Sequence, residues 1–270
     1  QNDTEAGELR VRNLSPTGFE ICYQEELSVD SNSTHSAEEV GYLLLSDMAG
    51  EAEAKIVFGE EPINQTNSSY WQAETFPQSY TTPVVVMGPP SYVNGGAVTV
   101  RVRKVSATGF EFQLDEWDHA DGVHTGVERI SYMVMESGIF AVGGSLWQAG
   151  RRSSVSPAGV TTTFGTAYDS APVVMGQVAT TAASISDANA CTARVHTITA
   201  TNFRVEVDES EIDATPHANE VVHWVAVEAG DALFFPNRMR FQAAAAGRRT
   251  AGRARRRGGT SCGRGSPRSQ

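Results

Sequence analysis

Three arginines, three histidines and three glutamates stand at matching places along the chain. Arg10, Arg101 and Arg194 each precede a phenylalanine (Phe19, Phe110, Phe203) by nine residues. Glu38, Glu128 and Glu220 each precede an aromatic (Tyr42, Tyr132, Trp224) by four, and His35, His124 and His217 lie three or four residues before those glutamates. The set reads in two ways. It could form a polar binding site on each unit. It could equally be a cross-strand ion pair with a turn-fixing histidine, repeated because every unit needs the same turn. His-x-x-Glu offers a metal only two ligands, too few for a structural site.

Two acidic loops add other chemistry. Asp115-Glu116-Trp117-Asp118-His119-Ala120-Asp121 and Asp208-Glu209-Ser210-Glu211-Ile212-Asp213 gather carboxylates. Such loops suit calcium, which takes six to eight oxygens, although the spacing is not that of an EF-hand. A solvated acidic loop is the plainer reading. Trp117 beside Asp118 and His119 also suits a sugar, with the indole on the apolar face of a pyranose and polar groups on its hydroxyls. A core tryptophan fits equally well. Catalysis has little support, because no nucleophile elbow, zinc motif, phosphate loop or dinucleotide fingerprint occurs. The chain is therefore read as non-enzymatic.

Strands must position these residues. In Val98-Thr-Val-Arg-Val-Arg103 the valines face one way and the polar residues the other, the period of a strand with one buried face. Ser-x-Thr-Gly before Phe19 and Phe110 supplies a turn, with Asn202 in the glycine's place before Phe203. The segments Leu9–Ile21, Val100–Phe112 and Ala193–Val205 resemble one another. Each is followed by a Glu-x3-aromatic block. A further block, Phe76…Tyr80…Pro83-Val-Val-Val-Met-Gly88, recurs as Phe164…Tyr168…Pro172-Val-Val-Met-Gly176. The expected fold is all-β, a tandem series of antiparallel β-sandwich repeats of about 90 residues. Residues 1–50 are expected to be a partial first unit, 51–138 and 139–230 full units, 231–243 the start of a truncated fourth, and 244–270 an Arg/Gly-rich disordered tail.

The order of these blocks resembles the H-type lectin domain of snail agglutinins and discoidins. That resemblance implies a six-stranded antiparallel sandwich that trimerises and binds N-acetylgalactosamine. The family's tryptophan falls on Trp117 and its following polar residue on Asp118, but Glu26 and Ser210 stand at the tryptophan position in the other units. The family's sugar-binding arginine falls on Ala6, Ala97 and Ala190. The resemblance thus implies the sandwich more firmly than the sugar.

Charge and composition bound the rest. The net charge is −11, with 28 valines against 9 leucines, a bias toward strands. Residues 244–270 hold eight arginines and no acid, so the remaining body carries a net −19. That body repels phosphates, which argues against nucleic acid. No apolar run is long enough to span a bilayer. The three cysteines give no disulfide framework, and Cys22 and Cys191 are expected as small core residues. Asn2, Asn32, Asn64 and Asn67 open N-glycosylation sequons clustered near the start. These features predict an extracellular or cell-surface chain that binds carbohydrate or mediates adhesion. The rival is a structural surface glycoprotein whose sandwiches are spacers in a filament, wall or coat. Expected partners are glycans or neighbouring surface glycoproteins, with assembly into an oligomer or filament.

Overall fold

The computed structural model describes residues 6–27, 37–46, 54–67, 70–120, 122–180, 190–211, 217–234 and 240–245. His35, Asn2, Asn32 and all of 244–270 beyond Ala245 lie outside them. The described residues are all-β, as the valine bias and the period of two predict. The first segment contains β1 (Gly7–Ser15), β2 (Gly18–Glu25) and β3 (Gly41–Ser46). Next come β4 (Val57–Ile63), β5 (Gln72–Thr75), β6 (Pro83–Met87), β7 (Val98–Ser106), β8 (Gly109–Glu116) and β9 (Glu128–Glu136). Then follow β10 (Gly138–Val142), β11 (Ser145–Val155), β12 (Val160–Thr163), β13 (Val173–Thr180), β14 (Cys191–His196), β15 (Asn202–Glu209) and β16 (Glu220–Val227). The last are β17 (Gly230–Phe234) and β18 (Arg240–Ala245).

One strand order occurs twice. β4-β9-β6 faces β7-β8-β5 in the middle segment, and β11-β16-β13 faces β14-β15-β12 in the next. The hairpin turn is built alike three times. Ser15 Oγ donates to Gly18 O (2.9 Å), Ser106 Oγ to Gly109 O (3.1 Å) and Thr199 Oγ1 to Asn202 O (3.0 Å). Two residues before each hydroxyl, Asn13, Lys104 and Thr197 have φ of 53°, 50° and 50°. Non-glycine residues adopt this left-handed conformation only where the surroundings impose it. Here a bulge does so, since β1–β2 and β7–β8 both shift register between that point and the turn.

Between the two sheets lie the recurring aromatics. Phe110 meets Tyr132 edge-on at 5.7 Å, and Phe203 meets Trp224 at 5.4 Å. Phe76 and Tyr80 close over the first pair, and Phe164 and Tyr168 over the second. Phe19 and Tyr42 form the same edge-on contact at 5.3 Å in the first segment.

The repeats are not separate from one another, because a second core joins them. Val85 of β6 faces its own sandwich, while Val84 and Val86 face outward into a second core. That core joins Met133 and Met135 of β9, Val225 and Val227 of β16, and Leu43 and Leu45 of β3. Sheets buried on both faces read as continuous apolar runs rather than alternation, and this explains Val84-Val-Val86 and Tyr42-Leu-Leu-Leu45.

The residues expected to open a fourth unit pair with the first segment. β18 pairs antiparallel with β3, Phe241 opposite Leu45 and Ala245 opposite Gly41, while β17 pairs with β18. β18 thus takes the place beside β3 that β4 takes beside β9 and β11 beside β16. The strand also runs two residues into the expected tail. Cys22 is a further correction: it is disulfide-bonded and only half-buried, rather than a core thiol. Cys191 keeps its buried thiol.

Candidate functional site

The recurring polar residues converge where one unit meets the next. Arg10 leaves β1 and is completely buried. Its Nη2 lies 2.9 Å from Glu128 Oε1 on β9. The same guanidinium donates to Ser91 O (2.6 and 3.1 Å), Gly96 O (2.9 Å) and Gln24 Oε1 (2.5 Å). Glu128 also accepts from Ser91 Oγ (2.5 Å) and from the backbone N–H of Val93 (3.0 Å) and Asn94 (2.9 Å), with His124 Nε2 at 3.3 Å. Burial alone would raise its pKa. The hydrogen bonds from His124, Ser91, Asn94 and Val93 outweigh burial and hold the carboxyl at about 2. Beside the pair, Val11 and Ser91 form a parallel bridge.

The second junction repeats the placement with looser contacts. β13 runs parallel to β7, Ala179 opposite Val102. Arg101 is again completely buried. Its Nη2 lies 3.5 Å from both Glu220 Oε1 and Thr180 Oγ1, and its Nη1 lies 3.5 Å from Asp115 Oδ2. Val85 N donates to His223 Nδ1 across the same junction (3.1 Å). Burial, reinforced by Arg151, lowers the His223 pKa to about 3, so the ring is a neutral acceptor at ordinary pH.

Arg194 stands at the third junction, between β14 and the first segment. Its Nη2 meets Asp208 Oδ2 and Tyr23 Oη, each at 2.6 Å. Thr192 Oγ1 donates to Glu8 Oε2 (2.9 Å). Burial pushes Asp208 up to about 7 against the pull of Arg194, and raises Glu8 as well. Arg194 and Glu38 both line a groove of about 400 Å³.

The expected cross-strand pairing of the recurring arginines with the recurring glutamates is not the one that forms. Asp115 and Asp208 are partners within the hairpin of their arginines, whereas Glu128 and Glu220 reach the arginine from the neighbouring unit. The histidines fix loops. His124 N donates to Gln65 Oε1 (2.7 Å), and its ring bridges Glu116 and Glu128. His217 N donates to Glu209 Oε2 (2.5 Å), while its Nδ1 faces Ala218 O (2.8 Å). Ser91 and His223 had no signal in the sequence, because neither recurs at a matching place.

The stacking role expected for Trp117 does not fit its position. The side chain has no exposed surface, so neither ring face is open to a sugar. It packs in one buried cluster with Ala6, Ala97 and Ala190. These alanines occupy the same place in each segment and pack together around it. Only small side chains fit such a convergence. Asp118 lies in a 3-10 turn, Asp118–Ala120. Exposed His119 bonds Glu26 Oε1 (2.9 Å), which also accepts from Ser210 Oγ (3.2 Å).

Among the described carboxylates of the acidic loops, Asp115 faces Arg101 and Asp208 faces Arg194, Glu116 lies 3.2 Å from His124 Nδ1, and Glu209 and Glu211 accept from the backbone N–H of His217 and Ala6. Cys191 brings a third ligand to His217 and Glu220, the three ligand atoms lying within 4.8 Å of one another. A thiolate, an imidazole and a carboxylate are zinc-type donors, but the Arg101 guanidinium beside Glu220 opposes a cation there. Asn64 and Asn67 lie between β4 and β5, inside a unit and not between units. Asn67 is exposed and Asn64 half-buried.

No family model matches this chain, and no solved structure matches it. Over 234 residues, 84% of the chain, it is 29% identical to halomucin of Haloquadratum walsbyi. The match covers 2% of halomucin's length. No helix among the described residues is long and apolar enough to cross a membrane.

Proposed function

We propose that the chain is a structural module of an extracellular glycoprotein, in which sandwich units are locked together as a spacer without a sugar site. One observation carries this reading. Recurring arginines and glutamates are spent on joining units, as in the Arg10–Glu128 and Arg101–Glu220 contacts. Buried pairs of this kind fix one arrangement of their elements more than they add stability. Burial of Trp117 supports the same reading, as does alanine at all three places where the lectin resemblance has its arginine. The relative's name denotes a mucin, a glycoprotein class of outer surfaces. The strongly acidic body keeps such a module soluble. Nothing in the reading calls for catalysis.

The test is a glycan array probed with the purified chain, alongside its thermal melting. The expected result is a single cooperative transition for units that share a core, and no saturable glycan binding. A glycan bound with micromolar or better affinity would defeat the spacer reading.

A further inference from the structure

The first segment is a sandwich with one side missing among the described residues. β9 lies between β4 and β6, and β16 between β11 and β13. β3, their counterpart, has β18 on one edge and no described strand on the other. β2 likewise lacks the neighbour that β5 gives β8 and β12 gives β15. The interior is open as a result. Ile21 and Leu44 are each 37% exposed, whereas their counterparts Phe112, Val205, Val134 and Ala226 are completely buried. The groove of about 400 Å³ lies there, lined by Phe19, Ile21, Tyr42 and Leu44 and on its far wall by Ala193 and Val195 of β14.

The two closed units define what fits. In each, one strand-loop-strand segment supplies the missing side. Its phenylalanine stacks on the hairpin phenylalanine, Phe76 on Phe110 at 5.7 Å and Phe164 on Phe203 at 5.3 Å. Its tyrosine, four residues on, packs edge-on to that phenylalanine at 5.0 Å in both units. Its Pro-Val-Val run pairs with the strand of the recurring aromatic, Val85 opposite Val134 and Val174 opposite Ala226. The same run continues onto the neighbouring unit, where Ser91 meets Val11 and Ala179 meets Val102. The third such position is Val195, on the groove wall. Both segments of this pattern in the chain are already in use.

We infer that the groove is an acceptor slot for the Phe-x3-Tyr…Pro-Val-Val-Met-Gly strand-loop-strand of another unit of this type. The added segment pairs with β2 and β3, fills the space over Phe19 and Tyr42, and bridges to β14. Main-chain hydrogen bonds give the affinity and the aromatic pair gives the specificity, as in other strand-addition complexes. The slot links modules without any sugar or metal.

A synthetic peptide spanning Gln72–Gly88 tests this with the whole chain. Fluorescence polarisation is expected to show one peptide bound per chain and a raised melting temperature. Phe76→Ala with Tyr80→Ala in the peptide, or Leu44→Glu in the chain, weakens binding at least tenfold. In a second arm the same segment, fused ahead of Gln1 through a Gly/Ser linker, slows thiol labelling of a Leu44→Cys variant at least tenfold. Equal binding of a scrambled peptide overturns the proposal, as does unchanged labelling in the fusion. So does a peptide-free chain that sediments as a dimer in which Leu44→Cys is already protected, since a second copy then covers the groove.

Discussion

Replacing Glu128 with alanine strands a charge. Arg10 is completely buried and has no water to turn to, and Ser91 Oγ and the N–H groups of Val93 and Asn94 lose their acceptor. Removing one member of a buried pair costs about 3–5 kcal/mol. The lowered pKa of Glu128 points the same way. A carboxyl at about 2 in the fold against 4.5 when free corresponds to about 3 kcal/mol at neutral pH. Glu128→Ala is therefore expected to lose about 3–4 kcal/mol, near 10 °C of melting temperature for a chain of this size. Glu220→Ala is expected to lose about half as much, because its contacts to Arg101 and Thr180 are 3.5 and 3.3 Å rather than 2.9 Å or shorter. Urea unfolding followed by tryptophan fluorescence measures both. The Glu128 contribution is whole above about pH 5 and is lost as pH falls through 4.5 toward 2. The gap between wild type and Glu128→Ala should close over that window. A loss below 1 kcal/mol at pH 7, or a gap that stays constant down to pH 2, would refute the argument that this pair locks the first junction.

Trp117→Ala should cost about 3–5 kcal/mol of stability, as for a large core side chain, and should leave glycan-array signals unchanged; a retained melting temperature would contradict its burial. Asp208 has its pKa raised from 3.8 to about 7, so its contribution is whole below about pH 4 and is lost as pH rises through 7. Asp208→Asn should therefore flatten the decline in stability between about pH 4 and 7, and an identical decline in the variant would count against the buried acid. Mass mapping of native material should find a glycan on exposed Asn67 in preference to half-buried Asn64, whose neighbour Gln65 is buried and bonded to Leu114 O at 2.6 Å; occupancy of Asn64 alone would overturn this.

The strands and turns were legible because their causes are local. Alternation from Val98 to Arg103 and the Ser-x-Thr-Gly turns act within a few residues, and they lie where that pattern puts them. The recurring arginines and glutamates were visible as a pattern but not as partners. Arg10 and Glu128 are 118 residues apart, and Arg101 and Glu220 are 119 apart, so no local spacing could join them. Val84-Val-Val86 read as one buried strand. That its two faces serve different cores depends on the sheets packing against each other. Trp117 was ambiguous for a related reason: the three alanines that enclose it come from three segments, and their convergence is a property of the assembly. The place of β18 was hidden by its likeness to the opening of β11, which pointed to a new unit.

The pairing of β3 with β18 bears on the order of events during folding. It closes a loop of roughly 200 residues, and the entropy of that closure alone is about 5 kcal/mol. β4 through β16 make their contacts over shorter separations, so topology favours their folding ahead of the clasp. Loosening begins at the same place. Hydrogen exchange on β3 and β18 should outpace exchange on β9 and β16, and tension along the chain would first part the strands that joined last.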